Sequence, residues 1–168
     1  FMMHGCIYAL MKTEGSLHDR LRGWVNNAII FFIICYAITT MATLLYVPHM
    51  AARVKAQPWL FSIALLNMLA IANIPREIHL GRDRRAFVSS CVAMIALMAL
   101  FGLEMFPNLV LSNPNPAYSL NIHNAASSSK TLGIMLTIAL IGVPIVIAYT
   151  ISIYWIFRGK VKLDRMSY

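Results

Sequence analysis

Thr131–Phe157 reads TLGIMLTIALIGVPIVIAYTISIYWIF and carries no charged side chain from end to end. At ~1.5 Å per residue, a helix over this stretch is roughly 40 Å long, against a bilayer hydrocarbon core of ~30 Å. A helix that is apolar on every face is stable where water is absent, so the stretch predicts a transmembrane helix. Its excess length is absorbed by tilt or by a bend. Pro144 lacks a backbone donor and crowds the carbonyl of Leu140, which predicts a kink near Gly142. Ser127, Ser128 and Ser129 offer caps at its start, and Tyr154 and Trp155 place amphipathic rings at its end.

Working outward, three more apolar segments stand at residues 25–47, 59–74 and 86–106. The segment at 59–74 is the shortest and borrows Gln57, Pro58 and Pro75 at its ends. The chain opens on FMMHGCIYALMK, apolar first and basic after, the reverse of a secretory signal. Residues 1–12 therefore read as the tail of a further helix, and the chain as a piece of a longer protein. Ser16, followed by Asp19 three residues on, forms a weak capping box ahead of the first complete span. Hydrophobic residues make up 60% of the chain and charged residues 12%, about half the charge of a soluble domain, and mean hydropathy is +0.70. The fold class is all-α: a polytopic transmembrane helical bundle of four complete spans plus the end of a preceding helix, in one membrane domain over residues 1–168. Pro107–Lys130, rich in Pro, Asn and Ser, is an irregular water-facing outer loop, long enough to suggest docking.

The 14 Lys and Arg residues are unevenly shared between the two sides. Lys12, Arg20, Arg22, Arg76, Arg82, Arg84, Arg85, Arg158, Lys160, Lys162 and Arg165 fall on one side if every span crosses. Arg53, Lys55 and Lys130 fall on the other. The positive-inside rule places the richer side, with the tail at 158–168, in the cytoplasm. The net charge of +8 is set by these clusters. Their position between apolar spans argues against nucleic acid and for orientation and contact with anionic membrane lipid.

Candidate chemistry is sparse. Cys6, Cys35 and Cys91 have no CxxC spacing and read as small buried hydrophobes. No phosphate-binding glycine loop or HExxH pattern occurs, so no residue is assigned as catalytic, cofactor-binding or metal-binding. Four intramembrane polar residues remain. His4 is the one histidine inside an apolar segment; haem ligation would require it to face a partner helix, and a polar contact to a neighbouring helix is the stronger reading. Glu104, the one acidic residue within the complete spans so drawn, must face protein or water. Its place three residues before Pro107 favours an interfacial contact over a proton relay. Asn67 and Asn73 could bridge helices or line a quinone headgroup, and bridging outweighs the other. Met94, Met98 and Met105 share a face and read as packing.

Several blocks resemble subunit II of the cytochrome bd-type ubiquinol oxidases. HGCIYALMKTEGSLHDRLR (His4–Arg22) is similar to the end of that subunit's fourth helix and its following loop. GLEMFPN (Gly102–Asn108), NPAYSL (Asn115–Leu120) and NAASSSKTL (Asn124–Leu132) follow in the family's order, with the last helix and basic tail behind them. The resemblance covers essentially the whole chain. It implies a haem-free subunit in a bacterial inner membrane, its C-terminus cytoplasmic. It implies a heterodimer with subunit I, which carries haem b, haem d and the quinol site. It further implies that the complex oxidises ubiquinol, reduces dioxygen to water and builds a proton gradient. The family's acidic proton-path residues belong to its N-terminal half, so none is carried over. The short connection Pro48–Pro58 departs from members with a longer outer loop and is consistent with the cyanide-insensitive branch. Two rivals from other classes remain: half of a secondary transporter, which needs polar groups converging at midplane, and a structural membrane adaptor.

Overall fold

The computed structural model describes residues 1–47, 57–112 and 115–160. Two compact units result, the first built on Phe1–Glu104 and the second on Met105–Gly159. The first holds α1 (Met2–Lys12), α2 (Gly15–Tyr46), α3 (Trp59–His79) and α4 (Asp83–Met105). The second holds β1 (Asn108–Val110), a 3-10 turn (Pro116–Tyr118), β2 (Leu120–Asn121) and α5 (Ser129–Ile156). The helices α2 to α5 are each long and apolar enough to cross a membrane. Most of the connection at 48–58 and of the tail at 158–168 lies outside the described residues.

The core of the first unit forms where α1 crosses α2. Met3, Ile7 and Leu10, spaced one helical turn apart, are buried against Val25, Ala28 and Ile29 of α2 and against Ile74, Ile78 and Ala86. A second cluster joins Ala70 and Ile71 of α3 to Ala93 of α4, with Phe32 and Tyr36 of α2 packed on it. The buried face of α4 consists of Ala86, Ser90, Ala93 and Ala96, all small residues. In lipid no hydrophobic drive separates helix from solvent, so close approach of backbones through small side chains supplies much of the packing.

Helix boundaries depart from the sequence expectation in two places. The first complete span extends back to Gly15, and Ser16 is not its cap. Gly15 takes φ 67°, a left-handed turn that glycine adopts without a Cβ clash, and helix begins at once behind Glu14. Ser16 thus sits inside the first turn. The span expected to stop at Ile74 runs on through Pro75 to His79. Pro75 removes one donor, but the turn beyond it is closed by a complete Schellman motif. The Arg82 N–H donates to the Glu77 carbonyl at 2.9 Å and the Gly81 N–H to the Ile78 carbonyl at 3.1 Å. Gly81, at φ 69°, supplies the left-handed residue this motif requires. The Arg22 guanidinium adds a donor to the Ile78 carbonyl at 2.6 Å.

In the second unit, Ser128 caps α5 by accepting the Thr131 N–H at 3.3 Å. The helix is continuous through Pro144 and no residue of it is buried. Thr137, Thr150 and Ser152 donate their hydroxyls back to the carbonyls of Gly133, Val146 and Ala148. Their polar groups are thereby satisfied within the helix, as an apolar surrounding demands. Near its end Arg158 stacks over the Trp155 ring at 5.1 Å. The loop expected to be irregular contains a small antiparallel pair, β1 with β2. Asparagine side chains order it: the Asn121 Oδ1 accepts the N–H groups of His123 and Asn124, and the Asn124 Nδ2 donates to the Ser119 carbonyl.

One cysteine expectation is corrected. Cys35 is exposed, and Cys6 and Cys91 are only half-buried. An outward-facing position on a lipid-crossing helix is as apolar as a core, so hydrophobic sequence context does not separate the two.

Candidate functional site

The polar side chains of the first unit converge on the seams between helices. His4, on α1, approaches the Ser90 Oγ of α4 at 2.8 Å through Nδ1. Ser90 has one hydroxyl proton and donates it to the Phe87 carbonyl at 2.7 Å. The Ser90 oxygen is therefore the acceptor, and His4 carries its proton on Nδ1. The imidazole also stacks on Phe87, ring centres 4.8 Å apart. Beside it lies a cleft of about 100 Å³, lined chiefly by Met3, Phe32, Ala93, Met94 and Leu97. Cofactor pockets run to about 300–1,000 Å³. The cleft fits a methyl group or a piece of acyl chain and does not fit a haem.

The two asparagines of α3 reach different neighbours. Asn67 is fully buried, and its Nδ2 donates to the Tyr36 hydroxyl of α2 at 3.3 Å. Asn73 donates to the Ser89 Oγ of α4 at 2.9 Å and accepts from Arg76 at 3.4 Å. Interhelical hydrogen bonds of this kind average about 0.6 kcal/mol in membrane proteins. Tyr36→Phe is accordingly expected to lower the stability of the detergent-solubilised protein by about that amount, measured by thermal denaturation. A loss several times larger would show that the hydroxyl does more than bridge.

Glu104 lies half-buried in the last turn of α4. It is not the only acidic residue in a span. Because α3 continues past Pro75, Glu77 belongs to that helix, and its residue exposure is 3%. Its Oε1 stands 3.8 Å from the Arg76 guanidinium, while Oε2 has no hydrogen-bond partner among the described residues. Asn73, Arg76 and Glu77 thus form a short polar chain along the last turns of α3. The signal for Glu77 was present in the sequence: the buried positions of α3 recur at 67, 70, 71, 74, 77 and 78, and this period passes through the proline unbroken. Closer to the α1–α2 turn, His18 donates Nδ1–H to the Leu10 carbonyl at 3.1 Å and turns Nε2 toward Asp83 at 3.9 Å. Among the described residues no three His, Cys, Asp or Glu side chains stand together in a way that could hold a metal ion.

A bundle of long apolar helices, with polar side chains directed into helix seams, defines a multi-pass membrane protein. The chain belongs to the cytochrome bd terminal oxidase subunit II family, whose family model matches residues 1–157. It is 25% identical over 186 residues to cytochrome bd-I ubiquinol oxidase subunit 2 of Escherichia coli (strain K12), covering 95% of this chain and 49% of that protein. It is 27% identical over 163 residues to cytochrome bd ubiquinol oxidase subunit 2 of Bacillus subtilis (strain 168), covering 95% and 46%. A shorter match, 36% identical over 106 residues, is to a probable cytochrome oxidase subunit 2 of Haemophilus influenzae, covering 63% of this chain and 28% of that protein. The chain spans about half the length of the curated relatives it matches.

Proposed function

We propose that this chain is part of a haem-free accessory subunit of a terminal quinol oxidase in a bacterial inner membrane. The complex would oxidise ubiquinol, reduce dioxygen to water and contribute to a proton gradient. The haem b and haem d groups would reside on subunit I, for which this chain is a scaffold. The observation that carries the reading is the family match across residues 1–157. The uneven sharing of Lys and Arg supports a cytoplasmic C-terminus. The small space beside His4, about 100 Å³, supports its exclusion from haem binding.

The test is affinity capture of the full-length tagged subunit from its own membrane. A larger haem-bearing chain should co-elute, and the preparation should consume oxygen when given ubiquinol. Recovery of a haem-free homodimer would support a transporter instead. In the same preparation His4→Gln should leave haem per complex unchanged, read from Soret absorbance. Loss of one haem equivalent would overturn the haem-free assignment.

A further inference from the structure

Between α2 and α3, at the end of the bundle rich in arginine, lies an open groove lined by Arg22, Asn26, Pro75, Ile78 and His79, with a volume of about 620 Å³. We propose that this groove holds the phosphate headgroup of an anionic phospholipid. The inference does not depend on the oxidase reading.

Three polar side chains face the groove with donors to spare. Arg22 spends one N–H on the Ile78 carbonyl at 2.6 Å, which fixes the plane of its guanidinium. Its remaining donors have no partner among the described residues, and neither do the side chains of Asn26 and His79. A guanidinium held in this way is preorganised for a phosphate, because its fork geometry matches two phosphate oxygens. No carboxylate pairs with it among the described residues. Asp19, one turn earlier on α2, makes no ion pair among the described residues, and Glu77 is turned into the helix seam toward Arg76. A helix C-terminus would ordinarily repel an anion. Here three of the last four carbonyls of α3 are already bonded, Arg76 by the Leu80 N–H, Glu77 by the Arg82 N–H, and Ile78 by both the Gly81 N–H and Arg22. The exposed Arg82, Arg84 and Arg85 lie just beyond that end and add positive potential.

The apolar surroundings select a lipid over a free anion. On α2 the face carrying Arg22 and Asn26 continues one and two turns on with Ile30 and Ile33, which are 57% and 41% exposed. On α3 the face carrying His79 and Pro75 continues back with Ala72 and Met68, the latter 65% exposed. Both strips run from the groove into the apolar spans, where acyl chains would lie. Trp24, 68% exposed, lies at the same level of α2 on another face, at the depth where indole rings sit among headgroups. Basic pockets between helices at the cytoplasmic face are a recurring form of lipid headgroup site.

The experiment is native mass spectrometry of the detergent-purified, delipidated full complex, titrated with phosphatidylglycerol, phosphatidylethanolamine or inorganic phosphate. Phosphatidylglycerol should be retained preferentially over phosphatidylethanolamine, and millimolar inorganic phosphate should not displace it. Arg22→Ala should weaken phosphatidylglycerol retention about fivefold, the effect of one cation near a membrane surface. Arg22 also closes α3, so the double variant Asn26→Leu/His79→Leu serves as a second arm. It removes two groove donors that bond nothing else among the described residues, and it should reduce retention while the complex stays assembled. Equal retention of the two lipids, displacement by phosphate, or unchanged retention in the double variant would each overturn the proposal.

Discussion

Ala93→Leu is expected to destabilise the helical bundle by about 1–3 kcal/mol, the usual cost of forcing extra methylenes into a closed core. Ala93 is 1% exposed and lies against Ala70 and Ile71 of α3, with Phe32 and Tyr36 of α2 packed beside them. All four buried residues of α4 are small, and Ala93 packs directly on Ala70 and Ile71, so an isobutyl group is crowded there except where it turns into the cleft of about 100 Å³ that Ala93 also lines. A displaced α4 would also strain two polar contacts it makes, Ser90 with His4 of α1 and Ser89 with Asn73 of α3. Thermal denaturation in mild detergent reads the effect. Two controls give it meaning. Ile95→Ala, at a position 69% exposed, should change stability by less than about 0.5 kcal/mol. Adding Ile71→Ala to Ala93→Leu should recover part of the loss by returning volume to the same cluster. If Ala93→Leu proves neutral, the leucine is housed in the cleft and small-residue packing at this position does not hold α4.

How far the sequence reveals such a seam depends on what the residues are competing against. The helices themselves are legible because the lipid requirement is severe: long uncharged runs admit few alternatives, and α5 shows it most plainly. The inner faces are much less legible. In a soluble helix the polar side marks the outside, whereas here Ile30, Phe31 and Ile33 are exposed and Ile29 is buried, with nothing in their chemistry to tell them apart. The buried face of α4 is signalled by small residues instead. The methionines of that helix draw attention as a candidate face, yet Met98 is 62% exposed and Met94 only half-buried. Among the polar candidates, the placement of Asn67 and Asn73 on α3 could be read from sequence, but their partners Tyr36 and Ser89 lie 31 and 16 residues away and become visible only when helices are packed. Pro75 masks Glu77 as a helical residue in the sequence. Proline usually ends a soluble helix, but in a bundle the packing of Ile74 and Ile78 and the closure by Gly81 carry the helix one turn further.

Glu77→Leu is expected to stabilise the protein, by about 1–3 kcal/mol, the cost of keeping a buried polar group whose hydrogen-bonding capacity is unmet. The sign follows from the surroundings of the carboxylate. Its side chain is 5% exposed, so it gives up almost all of its hydration. In return it gains one ion pair at 3.8 Å, longer than a good charge-assisted hydrogen bond, and Oε2 bonds nothing among the described residues. The partner Arg76 is 69% exposed, so deleting the carboxylate strands no buried cation. Leucine would extend the apolar face formed by Ile74 and Ile78, both fully or almost fully buried. Glu77→Gln separates charge from volume: it keeps the shape and should recover a smaller part of the gain. The measurement is the denaturation midpoint of the solubilised complex, with quinol-driven oxygen uptake recorded on the same samples. A gain in stability with unchanged uptake would make Glu77 a purely structural residue. A gain in stability with reduced uptake would show that the carboxylate is kept for the complex's activity at the expense of the fold. A loss of 1 kcal/mol or more in Glu77→Leu would contradict the expected sign and would mean that Oε2 is bonded in the assembled complex, since a carboxylate is costly to remove only where its oxygens are already paired.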